Sequence, residues 1–374
     1  MKIKIKNPQE YLLFLDKIAD SKLPQYENIL ISAEDEKVYL KASSGNVTCS
    51  ISIPGCEIIE RGKVCLNSKR LSSLIDNDVL ISGNNEKVDV KIGKGNYKIS
   101  AIPYDNFPKI PEASADGIKL HYRDLLRIVN YSVFYDKNDT TGPFSALKVS
   151  IKDGDCSTIS TDKTRFSLYS TKIEGTYEFL IPCQILPILK SFIHISEDFI
   201  HISEDDPVLN LQYIPQVEVS HYQGILYFKT SLGTLTSTTL AATFPDISKV
   251  LIQESEIKHL ITINTREFID SLHRILTTAD RVSGEIIISI KGNQLIISTK
   301  TVQTDGTEEI TVEPNKLSEV SLNFNGFTLL KFAEKMRQEF LLIINDKENK
   351  IQFKSRDISY VTTCLTKRNV EVGK

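Results

Sequence analysis

The side chains best suited to chemistry fall in two short clusters. Asp162-Lys163-Thr164-Arg165-Phe166 sets a carboxylate beside a hydroxyl and a guanidinium, the groups of a general base or an anion clamp. No His or Cys stands nearby to complete a nucleophilic pair, and the segment joins two strand-like runs. The pattern points to a structural or binding corner. The second cluster is FIHISED, which occurs twice in tandem within Ser191–Asp206. His194, Glu197, His201 and Glu204 are metal-ligand types. In an extended segment, however, the odd seven-residue spacing sends the two His to opposite faces. A strand–turn–strand with solvated Ser-Glu-Asp turns is the expectation. Gly93-Lys94-Gly95 lacks the G-x-x-x-x-G-K-[ST] of a phosphate loop and precedes no helix, so it reads as a hairpin turn. The six cysteines (Cys49, Cys56, Cys65, Cys156, Cys183, Cys364) form no CxxC and have no His at zinc spacing. Reduced thiols in a cytoplasmic protein fit that pattern. There is no nucleophile elbow, HExxH, Walker motif, kinase set or dinucleotide fingerprint. Nothing in the residues asks for catalysis, a metal or a cofactor.

The elements that would position these residues are clearest at Ile263–Thr299. Asn264 or Thr265 reads as an N-cap, and Phe268, Ile269, Leu272, Ile275 and Leu276 fall on one helical face. After Ser283-Gly284 the period becomes two, with Ile286, Ile288 and Ile290 alternating, a Gly292-Asn293 turn and a returning run Leu295–Thr299. A helix and a hairpin cannot bury their own apolar faces, and similar helical stretches recur. They lie at Asn7–Ile18, Asn67–Asn77, His121–Tyr131, Pro182–Phe192 and Asn325–Met336. Six starts spaced about 50–80 residues apart suggest internal repetition. Two Phe-Pro junctions, in Ala101–Pro111 and Ala241–Ile252, pair the units into three domains ending near Ser114 and Glu254. The other reading is an α+β chain whose amphipathic helices merely look alike.

A chain of 374 residues, 41% hydrophobic and 25% charged, is long enough for two or three packed domains. No apolar run reaches the ~18–20 residues of a membrane span, and the N-terminal Met1-Lys2-Ile3-Lys4 reads as a strand rather than a signal peptide. The net charge of −3 does not advertise a nucleic-acid binder. The six helical stretches nevertheless carry ten basic and seven acidic side chains, which allows a basic, helix-lined surface on an acidic protein.

Four stretches carry a family resemblance. They are STDKTRFSLYS (Ser160–Ser170), TYEFLIPCQILPILKSF (Thr176–Phe192), TTLAATFPDISKVLI (Thr238–Ile252) and SLNFNGFTLLKFAEKM (Ser321–Met336). In this order and at these separations the chain resembles the β sliding clamp of bacterial DNA polymerase III. The resemblance implies an α+β fold of three similar clamp domains, 1–114, 115–254 and 255–374, each of two helix-plus-sheet units. It also implies a head-to-tail dimeric ring with helices inside and sheets outside. Such a ring is a non-catalytic processivity factor without a cofactor. It encircles double-stranded DNA without reading sequence, tethers the replicative DNA polymerase and is opened by an ATP-driven clamp loader. Sheet continuity across subunits would cover exposed edges, and basic helices would touch phosphates.

Residue by residue, the resemblance implies a DNA-facing set of Lys22, Lys69, Arg70, Arg127, Lys190, Arg274, Lys331 and Lys335. A pocket for a short apolar partner peptide would use Phe144, Thr161, Arg165, Phe166, Pro245, Lys249, Val250, Val282 and Asn325. Its other wall falls on Thr363, Cys364 and Leu365, where the family usually ends M-P-x-R; here eight residues follow Thr366. Lys163-Thr164 replaces the usual Gly and its neighbour. The subunit junction would use Phe107 and the unusually polar Thr277-Thr278. Two rival readings remain: a clamp-like interaction scaffold that does not encircle DNA, and a hydrolase or transferase on another α+β fold. A trimeric clamp of the eukaryotic and archaeal kind needs only two such domains per chain.

Overall fold

The computed structural model describes residues 1–19, 23–109, 117–203, 215–245, 250–313 and 319–365, apart from 133, 137, 140, 141, 346 and 348. In chain order, β1 (Lys2–Ile5) leads into α1 (Gln9–Asp16). β2 (Asn28–Glu34), β3 (Lys37–Ser43), β4 (Val47–Ile53), β5 (Cys56–Glu60) and β6 (Gly62–Asn67) follow, and β6 leads into α2 (Ser68–Leu74). β7 (Val79–Gly83), β8 (Lys87–Ile92) and β9 (Gly95–Ser100) precede β10 (Ile118–His121) and α3 (Tyr122–Tyr131). β11 (Ala146–Lys152), β12 (Asp155–Thr161), β13 (Arg165–Lys172) and β14 (Tyr177–Pro182) precede α4 (Leu186–Ser203). β15 (Gln216–Tyr222), β16 (Ile225–Lys229), β17 (Gly233–Thr238) and β18 (Ile257–Asn264) precede α5 (Thr265–Thr278). β19 (Glu285–Lys291), β20 (Gln294–Lys300), β21 (Asp305–Thr311) and β22 (Val320–Asn325) precede α6 (Gly326–Ala333). β23 (Glu339–Asn345), β24 (Lys350–Lys354) and β25 (Ile358–Thr363) complete the order.

Each α-helix thus follows a strand almost directly, and an asparagine makes three of these transitions. Asn67, Asn264 and Asn325 end their strands and accept, through the side chain, the N–H of Arg70, Glu267 and Thr328. That bond satisfies one of the N–H groups a helix start leaves without a partner. The strand–asparagine–helix transition is therefore a local device shared by α2, α5 and α6.

The described chain divides into two compact units, residues 1–129 with 179–241, and residues 130–178 with 242–374. The first holds a five-stranded sheet, β5-β1-β7-β8-β9, and an eight-stranded antiparallel sheet, β10-β15-β16-β17-β4-β3-β2-β6. The larger sheet joins strands of residues 28–67 to strands of residues 118–238 along the β17–β4 pair, with Leu235 opposite Cys49. Gly233 makes that seam possible, because a Cβ there would lie 2.1 Å from the Ser50 carbonyl oxygen. Beneath the sheets α1 buries Leu12, Phe14 and Leu15, and the Phe14 ring stacks 6.1 Å from that of Phe192 on α4.

In the second unit one sheet runs β11-β12-β13-β25-β24-β23-β18, and a four-stranded sheet runs β21-β20-β19-β22. The β13–β25 pair is the corresponding seam, with Phe166 opposite Val361. Its core is aromatic. Phe268 of α5 and Phe332 of α6 meet Phe340, Phe353 and Tyr360 of the sheet at centroid distances of 4.9–5.7 Å.

One expectation is corrected. The tandem FIHISED does not make a strand–turn–strand; its residues through Ser203 belong to the helix α4. A repeat of seven is two helical turns, so Phe192 and Ile193, both fully buried, begin a helical stripe rather than an alternating strand. The two His belong to that helix, and among the described residues no group of three His, Cys, Asp or Glu side chains is placed to hold a metal. β5, a short strand with exposed acidic side chains, was not foreseen.

Candidate partner groove, helix cations and open edges

The corner predicted at Asp162 forms between β12 and β13, and its geometry is structural. The Asp162 carboxylate accepts the Thr164 and Arg165 N–H groups at 3.1 and 2.7 Å and the Arg165 Nε–H at 2.6 Å. Thr161 Oγ1 donates to the Arg165 carbonyl and accepts the Lys163 N–H at 3.1 Å. The turn brings Lys163 to φ +80°, a left-handed conformation that costs a non-glycine residue about 1 kcal/mol. Both carboxylate oxygens of Asp162 are thus engaged within the turn itself.

What the corner supports is a buried apolar cluster. Phe166 leaves the turn into β13 opposite Thr161 on one side and Val361 on the other. Ile159, Phe166 and Val361 form a cluster on which half-buried Leu168, Phe244, Val250 and Leu251 pack. Gln352 holds the Ile252 N–H at 3.1 Å, and Lys350 Nζ reaches the Val250 carbonyl at 3.5 Å. Arg165 borders the cluster: its guanidinium carbon lies 4.8 Å over the Phe134 ring, and Nη1 donates to Thr328 Oγ1 at 3.2 Å. Thr328 is the residue whose N–H Asn325 caps, so Asn325 and Arg165 are joined through it. Phe144 sits under the Lys163 ammonium, 5.0 Å from ring centroid to nitrogen, and Lys163 also pairs with Asp136 at 3.2 Å. The Asp136 carboxyl is held below the usual range first by the Asn138 N–H and then by Lys163.

Of the sequence-derived pocket set, Phe166 and Val250 are in this cluster, Thr161, Arg165 and Phe144 surround the corner, and Pro245 adjoins Phe244. Val282 is 92% exposed on a turn held by Asp280, whose carboxylate accepts the Val282 and Ser283 N–H groups. Asn325 Nδ2 donates to the Ser283 carbonyl of that turn at 2.7 Å. Thr363 ends β25, Cys364 N–H bonds Asn349, and Leu365 N–H bonds Asn323 of β22 at 2.8 Å. Lys249 lies outside the described residues. Sequence reasoning missed Ile159, Leu168, Phe244, Leu251 and Val361. The alternation of Ile159 with Thr161 and of Phe166 with Leu168 was the available signal, since facing strands share a face at every second residue.

The helix cations divide by partner. Lys69 and Arg70 are exposed on α2 and Lys331 on α6, and among the described residues none of the three pairs with a carboxylate. Arg127 on α3 lies 3.8 Å from Asp124. Lys190 on α4 and Lys335 after α6 are half-buried. Arg274 on α5 is gripped by Glu308 of β21 through two bonds of 2.8 and 2.6 Å. The Glu308 carboxyl is lowered by that guanidinium, and the Arg274 group is raised by the carboxylate. Lys22 lies outside the described residues.

Two of the strands that end these sheets, β9 and β21, present exposed side chains. β9 ends the sheet of the first unit with Asn96, Tyr97 and Lys98 exposed, and a hollow beside Tyr97 is lined by Arg70, Ser73, Leu74 and Ile99. β21 ends the four-stranded sheet of the second unit. Thr277 and Thr278 lie near it, in a groove shared with Ala279, Val302, Gln303 and Thr304. The Thr304 hydroxyl donates to the Thr278 carbonyl at 2.7 Å. Phe107 is not on the β9 edge; it follows a short 3-10 turn and faces Pro24, Asn28 and Ile102.

Comparison with known proteins gives one answer. The sequence profile described as "DNA polymerase III beta subunit, N-terminal domain" matches residues 19–111. The beta sliding clamp of Synechococcus elongatus is 21% identical over 74% of this chain and 73% of its own. That of Buchnera aphidicola is 21% identical over 97% of each chain. Residues 19–111 thus match that family's N-terminal domain, and the chain as a whole is similar, at 21% identity, to proteins named beta sliding clamp. The fold agrees with theirs. The DNA polymerase sliding clamp from Bacillus subtilis superimposes with a TM-score of 0.85 at 18% identity, covering 98% of this chain and 99% of that one. The DNA polymerase III subunit beta from Pseudomonas aeruginosa gives 0.83 at 18% identity, covering 98% and 100%. Among the described residues no helix is long and apolar enough to cross a membrane.

Proposed function

We propose that this chain is a DNA sliding clamp, a non-catalytic processivity factor of the cytoplasm. Two copies close head to tail into a ring around duplex DNA and tether a replicative polymerase, after an ATP-driven loader has opened the ring. The observation that carries this reading is the match, along 97% of both chains, to a protein named beta sliding clamp. The three domains are 1–114, 115–254 and 255–374, and the seams β17–β4 and β13–β25 are where sheets run on from one domain to the next. The six helices line the hole, with Lys69, Arg70 and Lys331 as the cations most ready to meet phosphate. The Phe166 cluster is the floor of the partner-peptide groove.

The open edges give the ring its closure. In this reading β9 of one copy pairs with β21 of the next, which removes both edges at once. Charge is complementary there: Lys91, Lys94 and Lys98 are exposed on the β9 side, and Asp305 and Glu309 on β21. Tyr97 enters the groove lined by Thr277 and Thr278. Sedimentation velocity tests this at micromolar and nanomolar concentration. A flattened species of twice the 42.2 kDa chain is expected, and a compact monomer throughout would refute it.

A second reading, a clamp-like interaction scaffold that does not encircle DNA, has one observation in its favour. Arg274, a member of the DNA-facing set, already has a carboxylate partner in Glu308.

A further inference from the structure

Lys163 holds a backbone conformation that its own side chain makes costly. At φ +80° a glycine would sit without penalty and the turn would close with the same backbone bonds. The lysine is therefore explained by its ammonium group. That group lies 5.0 Å from the centroid of the Phe144 ring and 3.2 Å from Asp136 Oδ2, with the side chain still about half exposed. Asp136 in turn donates its N–H to the Phe144 carbonyl at 2.9 Å, so cation, carboxylate and ring meet at the rim, three residues from Phe166.

The pair is built to be exchanged. Asp136 Oδ1 accepts the Asn138 N–H at 3.0 Å, so this carboxylate keeps a donor when Lys163 turns away. The ammonium can stay over the Phe144 face while changing its anionic partner. Arg165, the other cation at this corner, is committed to Asp162 and Thr328 and cannot do the same.

We propose that Lys163 is a specificity-determining residue of the groove. It exchanges Asp136 for a carboxylate of the bound peptide, so the groove selects peptides that carry an acidic residue beside their apolar anchor. The proposal rests on the peptide-groove reading above.

The test is fluorescence anisotropy with the full-length protein and two labelled peptides, Ser-Glu-Leu-Leu-Phe and Ser-Gln-Leu-Leu-Phe. Because Lys163 gives up its exposed pair with Asp136 to gain the peptide carboxylate, the expected preference for the acidic peptide is modest, about two-fold at 50 mM salt, shrinking at 300 mM. Lys163→Gln and Lys163→Gly should bind both peptides alike, and Lys163→Gly should melt no lower than the parent. Equal affinities in the parent protein, or an undiminished preference in Lys163→Gln, would overturn the proposal while leaving the groove standing. Binding of neither peptide would overturn the groove reading itself, and the proposal with it.

Discussion

Tyr97 offers the sharpest perturbation of the proposed subunit junction. It lies on the open strand β9 and is 44% exposed, so its ring contributes little to the interior of its own sheet. A tyrosine side chain presents roughly 200–250 Å², which leaves on the order of 100 Å² to be covered by a neighbouring copy. At about 25 cal/mol per Å² that area corresponds to about 2.5 kcal/mol per junction. Association realises only part of such an area term, so about 1–2.5 kcal/mol is the working range. A head-to-tail dimer has two identical junctions, and the loss counts twice, giving about 2–5 kcal/mol in dimer dissociation. Tyr97→Ala should therefore raise the dissociation constant by roughly 30- to 5,000-fold. Sedimentation velocity over a dilution series reads this directly, with thermal melting as the control for folding. An unchanged melt with a dissociation constant within about three-fold of the parent would refute the pairing of β9 with β21.

Four further outcomes follow. Glu308→Gln releases Arg274, and the salt dependence of DNA association should steepen by about 0.9 in log–log slope if that cation then meets phosphate. The same variant tests acid stability. The folded-state pKa of Glu308 is depressed, so its contribution is present above the unfolded value near 4.5 and lost as pH falls through the lower folded value; the parent should lose more stability than Glu308→Gln in that window. Gly233→Ala forces a Cβ against the Ser50 carbonyl and should cost about 1–3 kcal/mol in urea unfolding, with tryptic cleavage appearing first near the β17–β4 seam. Burial raises the Cys49 and Cys183 thiols, and pushes those of Cys56 and Cys65 up to about 12. Ellman's reagent at pH 8 should accordingly leave the buried Cys49, Cys65, Cys156 and Cys183 unmodified in the native protein and label all six cysteines in guanidinium.

Local signals made most elements legible. Asn264 announces the α5 start because its side chain does there what the sequence suggests, and Gly93 and Gly292 mark turns because both adopt positive φ. The tandem FIHISED misleads for a definable reason: a seven-residue repeat is odd for a strand of period two but is two turns of a helix. Long-range pairing left no local mark. Nothing near Leu235 says that it faces Cys49, and nothing near Arg274 says that Glu308, 34 residues on, will engage its charge. The apolar cluster at the β12–β13 corner was partly legible. Arg165 and Phe166 came from a recognisable motif, whereas Val361 enters only through the β13–β25 register and Tyr97 only through β9 being an edge.

The central claim is topological, and retention on closed DNA tests it most directly. Labelled protein would be loaded with a bacterial clamp loader and ATP onto a nicked circular plasmid, gel-filtered at 0.5 M salt, and then treated with a single-cutting nuclease. A ring held by topology co-elutes with the circle despite the salt and is released once the DNA is linear. Loss from the intact circle at that salt, or retention unchanged by linearisation, would contradict encirclement and leave the scaffold reading in its place.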